Sequence, residues 1–231
     1  MKNPKKILIA NRGVIAIRAL RAAKELGYQV ASVYSTIDKD QKHLKLSDEA
    51  ICIGPAASKD SYLNEAAIIA AAELVGADAI YPGYGFLAEN SSFAEKCNQS
   101  GFKFVGPDPK VIEIMGDKIK AKELIESLGV PIVPGYTGNI QSQDQIENIV
   151  DEIGYPVIVK ASAGGGGKGM RVVEKKKDLW DCVISAQNEA QLAFGNGEVF
   201  IEKYLQKPRH IEVQVFGDGK GKVVHLYSRD C

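Results

Sequence analysis

The chain has little with which to build covalent cross-links or a large electrostatic field. Its cysteines number only four (Cys52, Cys97, Cys182 and Cys231), lie far apart and form no CxxC pair. That spacing excludes a disulfide framework and a zinc site, and it reads as reduced, mostly structural thiols in a cytoplasmic protein. Net charge is missing too, since Lys+Arg and Asp+Glu each total 29. No overall field therefore draws the chain to nucleic acid or to an acidic membrane. No stretch approaches the roughly 18 apolar residues of a membrane span. The apolar run from Ile7 to Ala10 is too short for a signal peptide and is followed closely by Arg12. Internal repeats and low-complexity tails are absent. What remains is ordinary: 231 residues, 45% hydrophobic and 25% charged, enough for one or two domains with a substantial core.

One stretch stands out against this background. From Tyr155 to Val173 an apolar β-branched run, Val157 to Val159, delivers Lys160 to its end. Four glycines, Gly164 to Gly167, then precede Lys168, Gly169 and a second run from Met170 to Val173. The simplest local structure is an antiparallel hairpin with a mobile glycine tip. Two residues suffice to close a hairpin, and each glycine costs roughly 0.5–1 kcal/mol relative to alanine. A tip without side chains is useful where backbone N–H groups must approach an anion, with Lys160 placed to reach a phosphate. A solvated hairpin tip is the plainer alternative. The P-loop pattern fails, because Ser162 stands at its first glycine and Gly169 follows Lys168. Gly164, Gly166 and Gly169 satisfy G-x-G-x-x-G, but strand rather than helix follows, so the match is accidental.

Along the rest of the chain one grammar recurs: helix, glycine, apolar strand. It appears at Gly27, Gly76, Gly101, Gly129 and Gly154, each glycine placed to supply the left-handed residue that ends a helix. Alternating strands and helices predict βαβ units and a mainly parallel sheet over residues 1 to about 106. Within it, Pro82 to Phe86 follows the strand Ala79–Tyr81, at the strand end where open α/β sheets place ligands; a tight turn with packed aromatics is the other reading. A single helix is expected from Asp108 to Leu128, with Lys118 and Lys122 on one face. Pro131, Pro134, Gly135 and Gly138 mark a linker. A small α+β block follows, with helices at 142–153 and 180–192 and a strand at 198–203. Runs at 210–216 and 222–228, joined by Gly217-Asp218-Gly219, predict a final hairpin.

The order of these parts resembles biotin carboxylase, the ATP-grasp component of acetyl-CoA, propionyl-CoA and pyruvate carboxylases. The resemblance rests on Ile9 to Gly13, Pro82 to Leu87, Met115 to Lys118, Lys160 to Ser162 with its glycine loop, and Glu202 to Leu205 with Pro208 to His210. It implies an open Rossmann-like sheet (1–106), a linker helix (107–134), an ATP-grasp lid (135–205) and the start of an incomplete C-terminal sheet (206–231). The activity implied is MgATP-dependent activation of bicarbonate, through carboxyphosphate, and carboxylation of carrier-bound biotin. By position Lys118 and Lys160 contact phosphates, and Gly166 and Gly167 belong to the lid loop. Glu202, Lys203, Tyr204 and Leu205 hold adenine, and His210 approaches the ribose or phosphates. Tyr84 and Gly85 face the carboxylation site, and Arg18 and Glu25 lie at a homodimer interface. The partners implied are a biotin carboxyl carrier protein or domain and a carboxyltransferase component.

Departures from the family pattern accompany this resemblance. Val14 and Ser228 stand where the family usually has glutamate. The magnesium-binding and bicarbonate-binding residues are expected beyond Cys231, so no catalytic or metal residue is assigned within the chain, which alone should be inactive. The terminal hairpin is expected to fray or pair with other chains. Two other classes stay open: another ATP-grasp ligase, or a non-catalytic nucleotide-binding module.

Overall fold

The computed structural model describes residues 5–162 and 170–231. The chain divides into two compact units, Met1–Leu124 and Ile125–Cys231.

In the first unit the strands are β1 (Lys6–Ile9), β2 (Gln29–Ser35), β3 (Glu49–Gly54), β4 (Ala79–Tyr81) and β5 (Lys103–Phe104). They form one parallel sheet in the order β3-β2-β1-β4-β5. The helices are α1 (Gly13–Glu25), α2 (Lys42–Leu46), α3 (Glu65–Leu74), α4 (Ser91–Gln99) and α5 (Pro109–Gly116), and α6 (Lys118–Ser127) begins in this unit and runs past Leu124. Side chains alternate across a strand, and the core follows. Leu8 and Ala10 join Ala31, Val33 and Ile80 beneath α3 and α4, while Ile9 packs with Ala16, Leu20 and Val30 beneath α1. The sheet is thus covered on both faces, as an all-parallel sheet must be. All five glycines of the helix-glycine-strand grammar take positive φ, from +62° at Gly76 to +84° at Gly101.

Two expectations need correction here. The helix expected from Asp108 to Leu128 is two helices, α5 and α6. Asp117 breaks it, its carboxylate accepting from the N–H groups of Ile119 (2.9 Å) and Lys120 (3.1 Å). An aspartate capping a helix start outweighs continuing through Gly116-Asp117. The sequence reading also passed over β3 and α2, and α2 carries His43.

His43 is 0% exposed; its Nε2 lies 3.4 Å from the Val33 carbonyl and its Nδ1 finds no partner among the described residues. Burial lowers its pKa, against the opposing pull of the Val33 carbonyl and the Asp38 charge. A histidine depressed in the folded state stabilises above its unfolded pKa of about 6.5 and loses that contribution as pH falls. The melting temperature should therefore drop between about pH 7.5 and about pH 5.5. His43→Gln should flatten that slope whatever it does to absolute stability; an unchanged slope would remove His43 as its source.

Helix α1 starts without help. Its Arg12 side chain makes no capping hydrogen bond to the helix, and no acidic residue lies in its first turn. Val14, 72% exposed, occupies that turn. Val14→Glu should raise stability by about 0.3–1 kcal/mol by placing a carboxylate at the positive end of the helix. Thermal unfolding checks this, and an equal or lower melting temperature contradicts it.

In the second unit β6 (Gly135–Tyr136), β7 (Val157–Ala161), β8 (Arg171–Val173) and β9 (Val199–Lys203) form an antiparallel sheet in the order β6-β9-β7-β8. One face, with Val157, Val159, Val199 and Ile201, packs on α7 (Gln143–Ile153) and α8 (Leu179–Phe194) through Ile146, Val150, Leu179 and Val183. The hairpin expected around the glycines is the β7–β8 pair, and its tip lies outside the described residues. The terminal hairpin is β10 (Ile211–Gly217) with β11 (Val223–Asp230). Its register runs from Ile211 opposite Asp230 to Gly217 opposite Val223, with a shift between Val213 and Val215. Among the described residues no third strand joins it, and Val213, Val215 and Leu226 are more than half exposed.

Candidate functional site

The face of the β6-β9-β7-β8 sheet turned away from α7 and α8 carries Lys160 and Glu202. Lys160 pairs in register with Phe200, and Ile158 with Glu202. Strand alternation therefore places all four on this face. Lys160 Nζ donates to Glu202 Oε2 at 2.6 Å, from a side chain 29% exposed to one 10% exposed. Ile158 and Phe200, both buried, flank the pair. An ammonium and a carboxylate thus stand together on an apolar floor. An entering anion would compete with Glu202 for Lys160, and an amino group would compete with Lys160 for Glu202.

The strand end beyond Glu202 is held from several sides. The N–H of Lys203 donates to the Pro134 carbonyl (2.8 Å) and that of Tyr204 to the Pro156 carbonyl (3.0 Å). Lys203 Nζ donates to the carbonyls of Gly154 and Tyr155, each at 2.9 Å, so this lysine is an anchor rather than a free charge. Leu205 is 48% exposed. On the other side of Lys160, the Ser162 hydroxyl donates to Glu198 at 3.1 Å and its N–H to the Glu198 carbonyl at 2.9 Å. The chain enters the glycine loop from this fixed point; Gly166 and Gly167 lie outside the described residues.

A second cluster sits in the first unit, where β1 and β4 part. The chain leaves β1 and β4 toward helices, and the strand order reverses between them, which is where open α/β sheets bind ligands. Asn11 Nδ2 donates to the carbonyls of Pro82 (2.7 Å) and Tyr84 (2.8 Å), tying the two strand ends together. Gly83 is required beneath it: at φ +72°, a Cβ would come within 2.9 Å of Ile15 Cγ1 and 3.0 Å of Asn11 Nδ2. Tyr84 is 67% exposed and Gly85 is exposed as well.

Beside this loop Asp38 is buried and accepts from Arg12 Nη1 (3.0 Å), the Ser35 hydroxyl (2.7 Å) and the Tyr62 hydroxyl (2.8 Å). Burial alone would raise its pKa, but these donors outweigh it and hold the carboxyl below the usual range. Burial, together with the Asp38 charge, pushes Tyr62 up to about 12. The Tyr62 ring stacks on Phe86 with centroids 4.9 Å apart, and the Arg12 guanidinium lies 5.1 Å from the Tyr62 centroid and 5.6 Å from that of Phe86. Sequence reasoning singled out the segments that carry Arg12 and Phe86 but missed the network, because Asp38 and Tyr62 lie in no motif.

The remaining candidates are placed as follows. Lys118 opens α6 in the first unit and is exposed; Lys122 lies one turn on. His210 is exposed just before β10, its carbonyl accepting from the Cys231 N–H at 3.0 Å. Arg18 and Glu25 are exposed on α1. Arg18 borders an apolar groove of about 410 Å³ lined by Ile9, Ala22, Leu26 and Tyr28. Among the described residues no cluster of three or more His, Cys, Asp or Glu could hold a metal ion. Among them also, no helix is long and apolar enough to cross a membrane.

Comparison with known proteins follows the two units. Residues 3–112 match the family model of the biotin carboxylase N-terminal domain, and residues 117–231 that of the carbamoyl-phosphate synthase L chain ATP-binding domain. The chain is 54% identical over 227 residues to a biotin carboxylase of Pseudomonas aeruginosa, covering 98% of this chain and 51% of the relative. A biotin carboxylase of Haemophilus influenzae is 55% identical, with the same coverage. Among solved structures, a biotin carboxylase–beta-gamma-ATP complex from Campylobacter jejuni superposes with a TM-score of 0.94 at 55% identity, covering 99% of this chain and 51% of that one. The biotin carboxylase domain dimer of Hydrogenobacter thermophilus 2-oxoglutarate carboxylase, with MgADP, ADP and bicarbonate, gives 0.92 at 49% identity, covering 100% and 51%.

Proposed function

The chain belongs to the biotin carboxylase family and spans about half the length of the curated relatives it matches, and from that membership we propose that the whole protein uses ATP and bicarbonate to carboxylate biotin on a carrier. The single observation that carries the reading in this chain is the Lys160–Glu202 pair on its apolar floor across β7 and β9. It offers what an adenine nucleotide needs: an acceptor for an amino group, a cation for phosphate, and an apolar slot beside a strand end.

In this reading residues 1–106 form the N-terminal α/β domain, 107–134 the linking helices, 135–205 the ATP-grasp lid, and 206–231 the start of a further sheet. Lys118 and Lys160 meet the nucleotide phosphates, and their charge positions the γ-phosphoryl for attack by bicarbonate. Gly166 and Gly167 close over the phosphates and keep water from the carboxyphosphate. Glu202 and the backbone of Lys203 and Leu205, with Tyr204 between them, hold adenine, and His210 faces the ribose or phosphates. Tyr84 and Gly85 face the carboxylation site. Mg²⁺ would supply charge neutralisation at the phosphates; among the described residues no cluster could hold it, and in this reading its ligands and the bicarbonate-binding residues belong to the part of the relatives that this chain does not span, so residues 1–231 alone would not carboxylate biotin. Arg18 and Glu25 belong to a homodimer interface. The partners are a biotin carboxyl carrier protein or domain and a carboxyltransferase component, and the protein works in the cytoplasm.

A second reading, another ATP-grasp ligase, draws on the carbamoyl-phosphate synthase description of the model matching residues 117–231. The N-terminal match over residues 3–112 favours biotin carboxylase. ATP turnover by the full-length protein decides between them: bicarbonate and biotin together should stimulate it, and stimulation only by an amine acceptor would favour the second.

A further inference from the structure

The network beneath the Tyr84–Gly85 loop is more elaborate than a tight turn needs. Adjacent residues at the end of β1 grip the loop at two points: Asn11 holds the carbonyls of Pro82 and Tyr84, and Arg12 lies against the ring of Phe86. Phe86 takes φ +41°, a left-handed conformation that is uncommon for a bulky residue and persists only where the surroundings over-determine it. Those surroundings are visible. The Phe86 ring is stacked on the fully buried Tyr62 at an interplanar angle of 13°. Arg12 lies near both ring faces, and Asp38 fixes Arg12 and Tyr62 together, backed by Ser35.

We infer that Arg12, Asp38, Tyr62 and Phe86 are positioning residues for biotin carboxylation: they hold the Tyr84–Gly85 loop in the conformation that receives the biotin side of the reaction. This rests on the reading of that loop given above. None of the four is assigned a contact with nucleotide. Their effect is carried by the Phe86 backbone, one residue from Gly85. Arg12 is suited to this because a planar guanidinium can pair with a carboxylate and lie against aromatic faces together, which an ammonium does less well. The loop then shows Tyr84 to solvent, 67% exposed, above this support.

The test uses the full-length protein with Arg12→Lys, Arg12→Met, Phe86→Tyr and Phe86→Leu. Arg12→Met and Phe86→Leu should lower kcat/KM for biotin by about tenfold or more, since ångström-scale misplacement costs up to about a hundredfold, while KM for ATP stays within about twofold. Phe86→Tyr keeps the stack and should retain activity; Arg12→Lys should fall between. Backbone hydrogen exchange at residues 83–88 should accelerate by about tenfold or more in the two disruptive variants and stay unchanged at residues 6–9. Unchanged exchange in the loop overturns the inference. So does faster exchange with undiminished biotin kcat/KM, or an ATP KM that rises in parallel. If the unmodified protein carboxylates no biotin, the functional reading fails and with it the catalytic part of this inference, whereas exchange at 83–88 still decides whether the network holds the loop.

Discussion

Full-length protein carrying Lys160→Gln should bind ATP about tenfold or more weakly while keeping its fold. A charged hydrogen bond contributes about 1.5–3 kcal/mol, and glutamine keeps an N–H donor, one bond shorter than lysine's, without the charge. The structure adds a second consequence. Lys160 is the ion-pair partner of Glu202, whose side chain is only 10% exposed. Removing the lysine takes away the cation that pairs with this mostly buried carboxylate, so the variant should also melt lower. The double variant Lys160→Gln/Glu202→Gln replaces the charged pair by a neutral one. It should recover stability without recovering affinity. Calorimetric titration with MgATP and thermal unfolding separate the two effects. Undiminished affinity in a folded Lys160→Gln protein would remove this lysine from the phosphate site.

Asp38→Ala should be among the most destabilising single changes in the first unit, at about 2–4 kcal/mol. Three donors converge on this buried carboxylate, and deletion leaves the Tyr62 hydroxyl and the Ser35 hydroxyl facing a cavity. Arg12 is partly exposed, so water offsets its loss, which keeps the figure below that of a fully buried pair. The melting temperature should fall by about 5–15 °C. The pH dependence has a definite sign. The folded-state pKa of Asp38 is depressed, so its stabilisation is present above the unfolded value of about 3.9 and is lost as pH falls through the lower folded value. The difference between the native chain and Asp38→Asn should shrink in that acid window. A melting temperature unchanged by Asp38→Ala would show that the network contributes little.

What was legible in the sequence was local. Gly27, Gly76, Gly101, Gly129 and Gly154 announce helix ends because only a residue without a side chain takes their positive φ freely, and all five do so. Alternation of apolar runs with helices gave the parallel sheet for the same reason. The break at Asp117 was hidden because helical spacing continues across it, and a cap is a side-chain choice that spacing does not reveal. Strand β3 was missed because Glu49–Gly54 is an edge strand with one buried residue. Long-range placement was hidden as well. The insertion of β9 between β6 and β7, and the meeting of Arg12, Asp38, Tyr62 and Phe86 from four separate segments, are properties of the folded chain. Lys160 and Glu202 were each singled out, but for opposite ends of a nucleotide. That they meet each other at 2.6 Å follows from the β7–β9 register.

The most direct measurement is transfer of label from bicarbonate to biotin. Full-length protein, given MgATP, labelled bicarbonate and biotin, should form labelled carboxybiotin together with one ADP and one phosphate for each carboxyl group transferred. ADP release without label on biotin, under conditions in which the protein binds ATP, would contradict the assignment.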